Sequence, residues 1–414
     1  MGQKMSKNLP IIVILGSTGT GKTKLSLELA SKFNGEIIGA DSMQVYKGLD
    51  IASAKATPEE LAQAPHHMIN ILKPQEMFTV LEYRNRVLPI ISDVFERNKI
   101  PIIVGGTNYY IESILWNVLV QQPDEIIMDP KDILPNKEHE LPSVILHEKL
   151  KQLDPAMANR LHPNNKRKIL RALEILQQKG KKLSEILEEQ CVSSKSGGNL
   201  RYDNALVFWL QCNQKILDKR LDDRINQMIK EGLIDELFQF HKLYNEKRLN
   251  NDEDADYTIG IFQSIGFKEF HDYLILSESE RHSETGEKML KNSIERLKIV
   301  TRRYARKQTK WTVNRFLCRK DRQVPPIYNL DTTNVAEWDE NVRKPAMEIL
   351  ENYISGRKCS IEPLTMLDKV SVPNVLDQTY KCETCDKILV GEHQFSIHMK
   401  SQRHKKASEK SNKL

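Results

Sequence analysis

The sequence predicts an α/β protein in which a P-loop parallel sheet core carries an inserted helical subdomain and a small C-terminal Cys2His2 zinc finger. Three observations predict it. Residues 9–23 read LPIIVILGSTGTGKT, an apolar run that empties into a glycine-rich loop and then a helix. Further apolar runs recur at 100–104 and 205–210 with helical periodicity between them, the alternation that builds parallel sheets. Near the end, Cys382, Cys385, His398 and His404 stand in the order C-x2-C-x12-H-x5-H, which is zinc-ligand spacing.

Residues 11–15 are β-branched and aliphatic, as in a strand buried on both faces. They lead into Gly16, Ser17, Thr18, Gly19, Thr20, Gly21, Lys22 and Thr23. The glycines let successive N–H groups turn towards an anion, and the helix beginning near Lys22 adds the positive end of its dipole. Lys22 supplies a point charge for the terminal phosphate, and the Thr23 hydroxyl can reach a bound Mg²⁺. The loop alone does not choose between a nucleotide and another diphosphate. Residues 35–40 form a second strand that ends in Asp41, Ser42, Met43 and Gln44. Ligands of an open parallel sheet gather beyond the carboxyl ends of its strands, so Asp41 belongs on the rim of the phosphate loop. Its position leaves three roles open: metal ligand, base, or cap of the next helix.

Residues 66–71 read as a strand in which His66 and His67 face opposite ways, so they are structural rather than ligands of one metal. An amphipathic helix at 80–97 precedes the strand 100–104, which ends at Gly105, Gly106 and Thr107 on the same rim. The stretch 121–201 is too long for a loop within a sheet and has its own helical period. Its centre opens at Asn164-Asn165 with an asparagine cap. It sets Arg167 and Arg171 on one face beside Lys168, while Ile169, Leu170 and Leu173 pack inward. Residues 193–199 are a small-residue loop back to the strand 205–210.

From Asn213 the chain is mostly helical. Arg220 and Arg224, four apart, either clamp phosphate or pair with Asp222 and Asp223. An acidic loop at 250–256 and a tight turn at 263–269 containing Ser264, Gly266 and Lys268 follow. Between residues 288 and 322 stand thirteen basic residues against two acidic ones, with Tyr304 and Trp311 among them. That run is either a solvated helix face or a footprint for RNA backbone and bases. Residues 324–326 stop it and 356–378 read as a linker. The finger is too short to fold by burial alone, so the metal holds it together. Lys400, Arg403, Lys405 and Lys406 point to nucleic acid, with a protein partner as the alternative. The expected division is a core of 9–120 and 202–330, an insert of 121–201, a helix and linker over 331–379, and the finger at 380–406.

Composition bounds the rest. A chain of 414 residues with 39% hydrophobic content can hold two or three packed domains. No apolar run reaches 18 residues, which excludes a membrane span, and the first ten residues lack the apolar core of a secretory signal. The opening Met-Gly fits the loose myristoylation pattern, which recurs by chance. Six cysteines make no disulfide framework, so a reducing compartment is expected. The localisation expected is cytoplasmic, with mitochondrial and nuclear pools as a further expectation that the cysteines do not address.

Six ordered stretches, GSTGTGKT, DSMQVYKGLDI, IPIIVGGTNYYI, HPNNKRKILRALEI, RLDDRINQMIKEG and QSIGFKEF, closely resemble the tRNA dimethylallyltransferases, and the finger resembles the matrin-type finger of their eukaryotic members. The resemblance runs from about residue 11 to 311. It implies transfer of a dimethylallyl group from dimethylallyl diphosphate to the exocyclic amine of the adenosine 3′ to a tRNA anticodon. By position it makes Asp41 the carboxylate that engages the adenine amine. Lys22 and Thr23 become diphosphate and Mg²⁺ contacts, and Arg224, with Arg220, steadies the leaving group. It also implies tRNA contacts at Asp41, Ser42, Met43, Gln44, Thr107, Arg167, Lys168, Arg171, Ser264, Gly266 and Lys268. Bacterial members carry Gln-Arg where this chain has Arg167 and Lys168. The expected partners are tRNA and dimethylallyl diphosphate, with no membrane, and the protein acts as a monomer with Mg²⁺ for catalysis and structural Zn²⁺. Two rivals are a small-molecule P-loop kinase and a non-catalytic RNA-binding regulator whose P-loop is vestigial.

Overall fold

The computed structural model describes residues 9–117, 141–193, 200–245, 257–318, 323–365 and 379–411. The Met-Gly start and the acidic loop at 250–256 lie outside them, as do most of the loop at 193–199 and of the linker at 356–378. The chain divides into two compact units. The first comprises residues 1–119 and 198–366, the second 120–197 and 367–414.

The first unit is built on six parallel strands: β1 (Ile11–Gly16), β2 (Gly35–Gly39), β3 (His66–His67), β4 (Ile100–Val104), β5 (Ala205–Gln211) and β6 (Ile327–Asp331). Their order across the sheet is β3-β2-β4-β1-β5-β6. The central strand β1 feeds both faces. Ile11, Val13 and Leu15 enter one core with Val207 and Trp209, while Ile12 and Ile14 enter the other with Leu206 and Phe208. That is why these strands read as continuous apolar runs rather than alternating ones. Strand β6 was not expected from the sequence: only Ile327, Tyr328 and Leu330 are buried, and Asn329 and Asp331 face solvent.

Between the strands run α1 (Lys22–Phe33), the short α2 (Pro58–Leu61), α3 (Val80–Glu96) and α4 (Asn108–Leu115). Thr79 caps α3 in a reciprocal pair with Glu82. The strand expected over 66–71 stops after His67, because Met68 and Asn70 turn into left-handed backbone at φ 64° and 55°. As expected, the two histidines are structural: His66 Nδ1 lies 2.8 Å from the Ala64 carbonyl, and His67 Nε2 lies 2.8 Å from Glu36.

In the second unit, α5 (Ser143–Leu153), α6 (Pro155–Arg160), α7 (Lys166–Lys179) and α8 (Leu183–Ser193) pack around Leu146, Leu150, Leu161, Ile169 and Leu173. Buried Asp154 ties them together by accepting from the backbone N–H of Met157 and of Ser184, both at 3.0 Å. Asn165 is the N-cap of α7, and its side chain makes no capping bond. The finger follows as an antiparallel hairpin, β7 (Thr379–Cys382) and β8 (Lys387–Val390), with two more helices. Returning to the first unit, α9 (Gln214–Lys230), α10 (Leu233–Tyr244), the 29-residue α11 (Glu284–Thr312) and α12 (Lys344–Ser355) complete its layers. Helix α11 ends well before the prolines, in a widened turn over Val313–Leu317.

Candidate active site

The carboxyl ends of β1, β2 and β4 meet at a cavity of about 890 Å³. The P-loop forms one wall. Gly21 adopts φ +87°, and a Cβ there would lie 2.7 Å from the Trp338 ring, so only glycine fits between the loop and the indole. Lys22 opens α1 and turns back so that Nζ donates to the Ser17 carbonyl at 2.9 Å. Burial lowers its pKa to about 8 against the pull of Asp41, and Arg224 lowers it further. Arg224, on α9, donates to the Thr18 hydroxyl at 3.2 Å. Arg220, one turn earlier, leaves Asp222 and Asp223 alone. It donates to the carbonyls of Gly19 at 3.3 Å, Thr332 at 3.0 Å and Thr333 at 3.2 Å, bracing the loop from outside.

Asp41 follows β2 on the opposite wall. Burial pushes its carboxyl above the usual range, although the Met43 N–H donates to Oδ1 at 2.9 Å and Lys22 opposes the shift. Of the three roles left open, helix capping fails, because the residues after Asp41 form turns rather than a helix. Ser42 is fixed to the β4 rim: its N–H donates to Thr107 Oγ1 at 2.9 Å, and Thr107 donates to its hydroxyl at 3.2 Å. Gln44 donates to the carbonyls of Ser53 and Ala54. Gly105 passes so close to β2 that a Cβ would stand 2.1 Å from the Ala40 carbonyl.

Helix α11 crosses the cavity with two residues that sequence reasoning did not place there. Buried Gln308 accepts from the Thr18 N–H at 2.9 Å and donates to the Gly106 carbonyl at 3.1 Å. Tyr304, one turn before it, also lines the cavity. Their only signal was an uncharged pair at i, i+4 within a basic run. Of the arginines in that run, Arg302 pairs with Asp222, Arg306 with Asp218 and Arg315 with Glu112. Lys291, Arg303, Lys307 and Lys310 remain exposed.

The site residues expected from the sequence thus separate into groups. Thr18, Gly19, Gly21, Lys22, Thr23, Asp41, Ser42, Met43, Gln44, Arg220, Arg224, Ser264 and Gly266 line one cavity. Gly16, Ser17, Thr20 and Thr107 support it from behind, and Lys268 is exposed outside it. Arg167, Lys168 and Arg171 belong to the second unit, where the first two are exposed and Arg171 pairs with Glu174 at 3.3 Å.

Also in the second unit, one ligand atom each from Cys382, Cys385, His398 and His404 falls within 4.8 Å of the others. His404 Nδ1 stands 3.5 Å from both sulfurs, and buried His398 Nε2 has no hydrogen-bond partner. Two sulfurs and two imidazole nitrogens at that separation fit a tetrahedral metal. Tyr380 and Phe395 of the same finger stack with ring centroids 5.2 Å apart.

A family model described as IPP transferase matches residues 44–315. The chain is 44% identical to the tRNA dimethylallyltransferase of Homo sapiens over 97% of its own length and 86% of the relative's. It is 33% identical to that of Saccharomyces cerevisiae, over 97% and 92%. Among solved structures it is similar to a eukaryotic dimethylallyltransferase captured acting on tRNA, with a TM-score of 0.79, 32% identity and 98% of each chain covered. A tRNA isopentenylpyrophosphate transferase from Bacillus halodurans aligns with a TM-score of 0.52 and 33% identity, over 84% of this chain and 96% of that one.

Proposed function

The chain belongs to the IPP transferase family, and from that premise we propose the reaction its cavity performs. A dimethylallyl group passes from dimethylallyl diphosphate to the exocyclic amine of the adenosine 3′-adjacent to a tRNA anticodon, and diphosphate leaves. The observation that carries this is the meeting of a phosphate cradle and a half-buried carboxylate across one cavity.

The chemistry follows from the arrangement. An aromatic amine is a poor nucleophile, so the allylic C–O bond must be well broken before attack, and negative charge grows on the departing oxygens. Loop N–H groups, Lys22 and Arg224 stabilise that charge in a site sheltered from water. Asp41 accepts the amine proton as the new C–N bond forms. Its raised pKa makes it a stronger base than a solvated carboxylate. The adenine must leave its stack to arrive there.

The oxygen-only donors at this end of the cavity suit Mg²⁺: the Thr23 hydroxyl and diphosphate oxygens would hold it, and it would neutralise leaving-group charge. The Cys2His2 cluster takes Zn²⁺, which supplies the folding energy of the finger. Arg167, Lys168, Arg171 and Lys268 serve as tRNA contacts. The enzyme acts as a monomer in the reducing cytoplasm, with mitochondrial and nuclear pools. Among the described residues no helix is long and apolar enough to cross a membrane.

The test supplies the protein with dimethylallyl diphosphate labelled in the prenyl group and with tRNA carrying adenosine at that position. Label should enter tRNA, and ATP should not substitute for the donor. Label that stays with the donor, or phosphoryl transfer from ATP, refutes the reading.

A further inference from the structure

Glycine at position 21 meets one demand and creates another. Its φ of +87° and the indole beside it leave no room for a Cβ, yet a residue without a Cβ enters left- and right-handed backbone about equally well. Gly21 is also the N-cap of α1, where its carbonyl accepts from the Leu25 N–H at 3.2 Å. Its dihedrals therefore set the direction in which the first free N–H groups of that helix point. Something outside the loop must hold it.

Trp338 is placed to do so. A Cβ on Gly21 would meet indole Cζ3 at 2.7 Å and Cη2 at 2.8 Å, so the ring is a wall against the loop. Its Nε1 donates to the Glu28 carboxylate, 3.1 Å from each oxygen, and the Lys24 ammonium lies 4.6 Å from the ring centroid. Gly21, Lys24 and Glu28 stand at i, i+3 and i+7, so one indole spans a single face of α1 over its first two turns. The indole is itself fixed from behind. It is only 6% exposed, and the residues before it are tied to the sheet: the Thr332 N–H donates to the Gln211 carbonyl at 2.7 Å, and the Asn213 N–H to Thr333 Oγ1 at 3.0 Å. Val342 and Ala346, just after it, share a core with Leu25 and Leu29 of α1. Elsewhere the loop is gripped at Thr18 by Gln308 and at the Gly19 carbonyl by Arg220. Of these three grips, the one at Gly21 comes from beyond residue 315, where the match to the family model ends.

Resting on the reaction proposed above, we infer that Trp338 is a positioning residue of the donor site: its indole holds Gly21, and with it the first N–H groups of α1, in the arrangement that receives the diphosphate of dimethylallyl diphosphate. It stands behind the cavity wall rather than in it. Without the indole, diphosphate must itself order a glycine that is free to move, and fixing the backbone of one residue costs about tenfold in affinity. The loop grips diphosphate both before and during departure, so the loss falls on the donor KM rather than on kcat.

The test reads diphosphate binding directly. Inorganic diphosphate with Mg²⁺ is titrated into the full chain by calorimetry, and donor KM, kcat and tRNA affinity are measured beside it. Trp338→Ala should raise the diphosphate Kd and the donor KM about tenfold, with kcat and tRNA affinity within about twofold of native. Trp338→Phe, which keeps a ring against Gly21, should restore most of that loss. Ile349→Ala removes a fully buried side chain of α12 from the same core. It should lower the thermal midpoint as Trp338→Ala does, yet bind diphosphate like the native protein. Should Trp338→Ala fail to fold, Glu28→Ala, which releases the edge of the indole, takes its place with an expected rise of about threefold. An unchanged diphosphate Kd in Trp338→Ala, or in Glu28→Ala where it stands in, overturns the assignment. So does an equal rise in Ile349→Ala or a matching loss of tRNA affinity. A native protein that binds no diphosphate would instead refute the donor-site reading on which the inference rests.

Discussion

Lys22 and Asp41 share one cavity yet are displaced in opposite senses, and the pH dependence follows from that. A lysine whose pKa is lowered to about 8 keeps its charge below that pH and loses it above, so kcat/KM for the diphosphate donor should fall on the alkaline side of about pH 8. A base whose pKa is raised loses function sooner as pH falls. The acid limb of kcat should therefore lie above the ordinary carboxylate range, and it should vanish in Asp41→Asn. That variant should turn over about 10²-fold more slowly with tRNA affinity little changed, measured by single-turnover label transfer alongside filter binding. Equal turnover would remove Asp41 from the proton transfer.

Strands β2 and β4 are held in register by a glycine and by a charge. Gly105→Ala would drive a methyl into the Ala40 carbonyl, and a cost of about 3 kcal/mol is expected in the urea midpoint, with transfer lost as Thr107 and Ser42 separate. Buried Glu36 on β2 accepts from Arg97, Lys99 and His67, with Arg97 the largest cause of a carboxyl held far below its usual range. A depressed carboxyl gives stability that is complete above the unfolded pKa and is lost as pH falls through the folded one. Glu36→Gln should cost roughly 2 kcal/mol at neutral pH, less than a sealed pair because Arg97 and Lys99 keep contact with water. The difference from the native protein should shrink in acid. What was legible in the sequence follows the same division. The P-loop, the central strands and the finger are local patterns whose meaning is complete within about twenty residues. Gln308 was not legible, because its partner Thr18 lies 290 residues away. Nor was β6, since a strand with only three buried side chains leaves too weak an alternation to distinguish from loop. From its spacing Arg220 read as either a phosphate clamp or a partner of Asp222 and Asp223, and only the fold shows it bonded to three carbonyls.

Across the whole molecule, charge and metal stand apart from the reacting centre in sequence. Removing residues 379–414 should weaken tRNA binding and make its salt dependence shallower, because fewer phosphates are neutralised, while turnover at saturating tRNA persists. A chelator that strips the Cys2His2 cluster should reproduce that loss of affinity, read by titrating tRNA before and after zinc is restored. Turnover lost at saturating RNA in either case would tie the finger to the chemistry. Strand β1 pairs with β5, where Ile11 faces Ala205, so the centre of the sheet joins segments about 190 residues apart in the chain. During synthesis at ~5–20 residues per second, the P-loop strand leaves the ribosome roughly ten to forty seconds before its neighbour exists. Its open edge is a template for wrong pairing throughout that interval. A nascent chain halted before residue 205 should therefore be held by chaperones or aggregate, and one halted after residue 355 should be released as a folded, protease-resistant core.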